Sequence, residues 1–82
     1  MNVVIIEDEK LAADKLERQL KKVDESIVVS ARLESITESV EWLKNNKCDL
    51  IFLDIHLSDG VSFKIFEELN IKTPIVFTTA YD

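Results

Sequence analysis

The fold is decided by the stretch "CDLIFLDIHLSDG", which occupies residues 48–60. Its four consecutive apolar residues, 50–53, form a run short enough to predict a strand buried on both faces, and the run ends directly on Asp54. An acid at this place either stops the strand as a turn residue or is a reactive group held at the edge of a sheet. For Asp54 alone the two interpretations have about equal weight, so the choice depends on the rest of the chain.

The bulk composition predicts a single small globular domain, because the chain has 82 residues and 46% of them are hydrophobic. The net charge is −6, and the Lys and Arg residues are scattered, which argues against nucleic acid or an anionic membrane surface as a partner. A single cysteine, Cys48, excludes an internal disulfide and a zinc site built from cysteines. No apolar run has the length of a signal sequence or a membrane span, so we expect a cytoplasmic domain.

Short apolar runs alternate with amphipathic segments along the chain. The patterns predict strands at 3–6, 27–33, 50–53 and 75–78, and helices at 9–23, from 36 to about 45, and at 61–69. The second strand alternates polar and apolar residues, which is typical of an exposed edge. Ser35 and Glu38 form a capping box before the second helix, and Gly60 is expected to adopt a positive φ in a turn. The order βαβαβαβ predicts a parallel α/β sheet with helices on both faces.

The first predicted helix carries apolar residues at helical spacing and charged residues elsewhere. We expect its apolar residues to face the core: Leu11, Ala12, Leu16, Leu20 and Val23. Among the remaining marked residues, we expect Trp42 to be partial core and Cys48 to be an inert small hydrophobe. The side chain of His56 is expected in solvent or in a loop contact, and Tyr81 at a frayed end.

Polar residues follow three of the predicted strands at their carboxyl ends, where open α/β sheets bind ligands. Glu7 and Asp8 follow the first strand, Asp54 follows the third, and Thr78 and Thr79 lie at the end of the fourth. Neighbouring strands lie about 4.8 Å apart, so three carboxylates would converge if the first and third strands are adjacent.

For the two acids after the first strand, the ordinary explanation is a favourable charge at a helix start. For Glu7, Asp8 and Asp54 together that explanation is weaker, because clustered carboxylates repel one another unless a cation relieves them. Mg²⁺ prefers such hard oxygen ligands, and a carboxylate beside it can act as a nucleophile toward phosphorus.

Three motifs, "VVIIEDE" at 3–9, "LIFLDIHLSDG" at 50–60 and "PIVFTTAYD" at 74–82, together resemble the response regulator receiver domain of two-component signalling. The sequences of these motifs are similar to those of receivers that carry a LytTR-type DNA-binding output domain. The resemblance covers all 82 residues and implies a flavodoxin-like fold with parallel sheet order 2-1-3-4. It also implies a domain truncated after its fourth strand, without the family's last αβα segment.

The resemblance also implies roles for individual residues. Asp54 would be the phosphoacceptor, receiving its phosphoryl group from a sensor histidine kinase. Glu7 and Asp8 would hold Mg²⁺ together with Asp54, and His56 would offer its backbone carbonyl to the metal. Thr79 would supply the hydroxyl that binds the phosphoryl group. Such a domain is a signalling phosphoacceptor and no enzyme beyond self-catalysed transfer and dephosphorylation.

The chain departs from the family pattern at several places. Glu7 stands where Asp is commoner, Ser58 stands where many members have Pro, and no lysine follows Thr73 to serve as the family's phosphate-binding lysine. The missing lysine leaves room for an interaction module that works without phosphorylation. A phosphatase of the haloacid dehalogenase type is less favoured, since it needs a second acid where this chain has His56. We also expect a homodimer formed through the bare fourth strand or by exchange of elements.

Overall fold

The computed structural model describes residues 1–78. Along the chain its elements are β1 (Asn2–Ile6), α1 (Lys10–Val23), β2 (Val28–Leu33), α2 (Ile36–Asn45), β3 (Leu50–Leu53), β4 (His56–Leu57), β5 (Gly60–Val61), α3 (Lys64–Glu68) and β6 (Ile75–Phe77). None of the helices within this range is long and apolar enough to cross a membrane.

The main sheet is parallel and has four strands in the order β2-β1-β3-β6. Because β6 is the fourth strand of this sheet, the predicted order 2-1-3-4 is confirmed. The central strand β1 pairs on both sides, and its last four residues, 3–6, are at most 1% exposed. This burial explains the continuous β-branched run, since such residues favour strands covered on both faces.

Helices cover both faces of the sheet, as predicted. On one face, side chains of α2 and α3 such as Val40 and Ile65 form a core with Val4, Ile6 and Leu53. Trp42 and Cys48 pack at the margin of this core, as expected for partly buried residues. On the other face α1 packs against the alternate residues of the same strands. The two cores therefore fix β1 and β3 from both sides.

The buried face of α1 differs from the predicted one. Ala13 and Leu20 are buried, whereas Leu11 is 74% exposed and Val23 is 81% exposed. At 3.6 residues per turn, Leu11 lies about 160° around the helix from Ala13, on the side away from the sheet. Val23 is the last residue of the helix. The contact stripe is accordingly Ala13, Leu16 and Leu20, at the spacing i, i+3 and i+7.

The segment between β3 and α3 also differs from the prediction of one turn and a helix over 61–69. It contains an antiparallel hairpin, β4–β5, followed by the short α3. Gly60 has a φ of 138°, which confirms the expected positive φ at this turn. Val61, which belongs to β5, is 38% exposed and lies outside the core.

Candidate functional site

The candidate site lies where β1 and β3 end side by side. Ile6 is opposite Leu53, and the amide of Asp54 donates a 3.0 Å hydrogen bond to the carbonyl of Ile6. The amide of Glu7 donates to the carbonyl of Leu33 at 2.9 Å. These bonds extend the parallel ladders past both strands, so the backbone itself holds Glu7 and Asp54 at one edge of the sheet.

Three carboxylates meet at this edge. One ligand oxygen from each of Glu7, Asp8 and Asp54 lies within 4.8 Å of the others. The structure therefore brings together the three acids whose convergence the strand order predicted. Glu7 and Asp54 are partly buried there, which strengthens the interaction between their charges.

The surroundings of Glu7 in this cluster raise its pKa to about 7. Burial is the main cause, and the charge of Asp54 and hydrogen bonds with Asp54 and Asp8 add to it. The amide of Glu9, which donates to Oε2 of Glu7 at 3.0 Å, acts in the opposite direction and lowers the pKa. Near neutral pH the carboxyl of Glu7 is therefore partly protonated, and a cation bound there would displace that proton.

The donor set fits a hard divalent cation. Mg²⁺ takes oxygen ligands and is usually bound by one or two carboxylates together with water and substrate phosphate. Three carboxylates this close together repel one another when they are ionised, and a divalent cation bound between them would relieve that repulsion. His56 lies in β4, two residues after Asp54, and its side chain is exposed as expected.

The fourth strand of the sheet reaches the same edge. The amide of Thr78 donates to the carbonyl of Leu53 at 3.0 Å, so the ladder between β6 and β3 continues to the residue before Asp54. Thr79, predicted to bind the phosphoryl group, lies outside the described residues, as does Tyr81.

One residue that follows the site in the chain was not singled out from the sequence. Asp59 lies in the turn before Gly60, and its Oδ1 accepts a 2.8 Å hydrogen bond from the amide of Ile36 at the start of α2. The sequence of a short polar turn gives no local signal that one of its residues contacts a residue 23 positions earlier in the chain. Only the position of α2 in the folded molecule reveals it.

Comparison with known proteins identifies the family. The model of the response regulator receiver domain matches residues 3–82. The sensory transduction protein LytT of Bacillus anthracis is 39% identical over 85 aligned residues that cover 100% of this chain and 34% of that protein. The protein of the same name from Enterococcus faecalis is 40% identical, covering 100% of this chain and 35% of the relative.

The fold is shared with solved receiver structures. The solution structure of the receiver domain of the Erythrobacter litoralis response regulator PhyR has a TM-score of 0.81 and 30% identity, covering 98% of this chain and 63% of that one. The chain spans about a third of the length of the curated relatives it matches. These matches favour the receiver interpretation over the phosphatase. The chain belongs to the response regulator receiver domain family of two-component signalling.

Proposed function

We propose that this chain is a phosphoacceptor, which takes a phosphoryl group from a sensor histidine kinase onto Asp54. Mg²⁺ would be held by Glu7, Asp8 and Asp54 and by the backbone carbonyl of His56. The observation that carries the proposal is the cluster of three carboxylates within 4.8 Å at the ends of two paired strands, in a chain of the receiver family.

Asp54 is suited to be the nucleophile because it is held by a rigid strand. The preceding residues 51–53 are buried, and the amide of Asp54 is bound to Ile6. A carboxylate oxygen of Asp54 would form the new bond to phosphorus while the bond from phosphorus to the donor's nitrogen breaks, and that nitrogen then takes up a proton. Phosphoryl transfer depends mainly on such positioning and on charge neutralisation.

Glu7 and Asp8 are proposed to hold the cation that neutralises negative charge at Asp54. When bound, Mg²⁺ neutralises the charge that Asp54 and the incoming phosphoryl oxygens bring together. Glu7 would have to be ionised to serve as a ligand, so any proton that its carboxyl carries near its pKa of about 7 would be released when the metal binds. The hydroxyl of Thr79 is proposed to bind the transferred group. Each molecule accepts one phosphoryl group, which makes the chain a signalling acceptor.

The proposal is tested by intact-mass spectrometry after incubation with acetyl phosphate and Mg²⁺. We expect one phosphoryl adduct on the wild-type chain and none on Asp54→Asn, with both proteins equally folded by circular dichroism. Asp14→Asn, which alters an aspartate on α1, is the matched control and should keep the adduct. An adduct mapped to another residue, or retained by Asp54→Asn, would contradict the assignment.

A second role, self-association, is favoured by the exposed edge at β6. Among the described strands β6 pairs with β3 alone. Val76 is 43% exposed, and Phe77 is 53% exposed with its ring in an edge-to-face contact with Phe63, 5.8 Å between centroids. An apolar edge strand of this kind pairs readily with another chain, and a two-fold dimer is the simplest closed form. We propose that the 82-residue chain forms a homodimer through β6 or by exchanging elements.

Light scattering at micromolar concentration tests the dimer. We expect a dimeric wild-type chain and a monomeric Val76→Lys variant, because a buried lysine in the new strand pair would be costly. Val28→Lys is the matched control, since Val28 is 49% exposed on β2 at the opposite edge of the sheet. A folded, monomeric wild-type chain would contradict this second role.

A further inference from the structure

The start of α2 is capped by a residue from a distant part of the chain. The first amides of a helix have no acceptor within the helix and need partners from elsewhere. The amide of Ile36 donates to Oδ1 of Asp59 at 2.8 Å, and the amide of Thr37 donates to Oδ2 at 3.2 Å. The next amide, of Glu38, is satisfied locally by the hydroxyl of Ser35 at 3.1 Å. Two of the first three amides therefore depend on Asp59.

A third hydrogen bond and the charge of the carboxylate reinforce this link. The hydroxyl of Thr37 donates to Oδ2 of Asp59 at 3.3 Å. The backbone hydrogen bond from Ile36 is the main cause that lowers the pKa of Asp59, so the group is ionised at neutral pH. A negative charge at the N-terminus of a helix also interacts favourably with the helix dipole.

Asp59 lies at the turn of the β4–β5 hairpin, which begins two residues after Asp54. At its base the hairpin is closed by the amide of Ser62, which donates to the carbonyl of Ile55 at 2.8 Å. Along its length Leu57 is buried in the core shared with α2 and α3. Leu57 attaches the hairpin to that core, and Asp59 adds a second attachment at the tip.

Close packing at the tip is an independent sign of the same attachment. A Cβ added to Gly60 would lie 3.2 Å from Cδ1 of Ile36, tighter than an ordinary van der Waals contact. The hairpin turn is therefore packed against the first residue of α2 as well as hydrogen-bonded to it.

We propose that Asp59 is a positioning residue for the metal site: it ties the hairpin after Asp54 to α2 and so holds the backbone of Ile55 and His56. The inference rests on the proposed function, in which the carbonyl of His56 is a metal ligand. Residues that orient metal ligands without touching the metal commonly change metal affinity when they are replaced. Asp59 would orient His56 in this way through the two-stranded hairpin, in which His56 pairs with Val61.

The test compares two variants that each uncap α2. Asp59→Ala removes the cap and detaches the tip of the hairpin from α2, whereas Ser35→Ala removes the local cap of Glu38 and leaves the tip attached. Both should lower the melting temperature. Calorimetry should show Mg²⁺ affinity reduced about tenfold in Asp59→Ala and unchanged in Ser35→Ala. Asp59→Asn, which keeps one acceptor oxygen, should fall between wild type and Asp59→Ala.

A second measurement does not depend on the metal. Hydrogen exchange of the Ser62 amide, which is bonded to Ile55, should be faster in Asp59→Ala than in Ser35→Ala. Equal exchange and equal affinity in these two variants would overturn the positioning role. If wild type itself binds no Mg²⁺, the proposed function is contradicted, and exchange at Ser62 alone decides whether Asp59 holds the loop. If Asp59→Ala does not fold, Asp59→Asn is compared with Ser35→Ala in both measurements.

Discussion

Two groups of acids within residues 1–78 have opposite surroundings. At the edge where β1 and β3 end, carboxylates face one another and the pKa of Glu7 is raised to about 7. Between α1 and β2, Nη1 of Arg32 lies 2.7 Å from Oδ1 of Asp14, and Nζ of Lys10 lies 3.1 Å from Oδ2 of the same carboxylate. There the pKa of Asp14 is lowered, mainly by Arg32.

The difference separates structural acids from acids suited to binding. Arg32 also lies 3.3 Å from Oε1 of Glu17, so the chain supplies its own cation to the surface between α1 and β2. At the β1–β3 edge the chain supplies further negative charge, and an ion from outside gains the most there. The local balance of charge therefore distinguishes the two places better than the number of acids does.

The largest expected effect is on metal binding. Asp8→Ala should abolish the Mg²⁺ binding that calorimetry detects in wild type, because it removes a carboxylate ligand from the β1–β3 edge. Asp14→Ala removes the same type of residue from the ion-paired surface and should leave the affinity unchanged. Equal affinities for both variants would show that the two places do not differ in the way their pKa values indicate.

The pH dependence of binding should reveal the proton on Glu7. Because its pKa is about 7, Mg²⁺ affinity should fall as the pH decreases below 7, approaching about tenfold for each pH unit. Calorimetry over roughly one pH unit on either side of this pKa would measure the Mg²⁺ affinity as a function of pH. Glu7→Gln should bind more weakly at all pH values and lose most of the dependence. A wild-type affinity that is flat across this range would contradict the raised pKa.

The smallest expected effect is on the stability of the metal-free chain. Because the pKa of Glu7 is raised in the folded state, its contribution to the stability of the fold is fully present at pH values below its ordinary pKa of 4.5. This contribution is lost as the pH rises through about 7. Glu7→Gln should therefore raise the melting temperature at pH values above 7 and have little effect below 4.5. We expect about 1 kcal/mol, because the carboxyl is only partly buried and solvent screens the repulsion.

Asp14→Asn should give the opposite sign. The lowered pKa of Asp14 stabilises the fold above its ordinary value of 3.8, and this contribution is lost as the pH falls below that value. The variant should consequently melt at a lower temperature at pH values above 7, with the difference disappearing in acid. Thermal unfolding followed by circular dichroism would show the two variants diverging in opposite directions, and parallel shifts would contradict the comparison.

The sheet and the acid cluster could be predicted because both depend on local patterns and on one general rule. Apolar runs located β1 and β3, and the ends of adjacent parallel strands meet at one edge. The capping box was also partly right. Ser35 accepts from the amide of Glu38 as predicted, although the carboxylate of Glu38 accepts from the amide of Glu34.

What could not be predicted depends on tertiary contacts. Leu11 satisfies helical spacing as well as Leu16 does, and only the placement of α1 on the sheet decides that Ala13 and Leu20 are buried. The β4–β5 hairpin has two residues in each strand, too few for a periodic pattern. The bond from Ile36 to Asp59 joins segments that are distant in sequence, and no local propensity encodes it.

The central position of β1 has a consequence for the rate of folding. Val3 is paired with Val29 on one side and with Leu50 on the other, so neither neighbour is local in sequence. Closing loops of that length precedes any gain from strand pairing, and parallel sheets of this kind fold slowly for their size. Until residues from β2 or β3 have arrived, the apolar strand β1 has no partner. Refolding should therefore be limited by the capture of β1, and substitutions there should slow folding more than they speed unfolding.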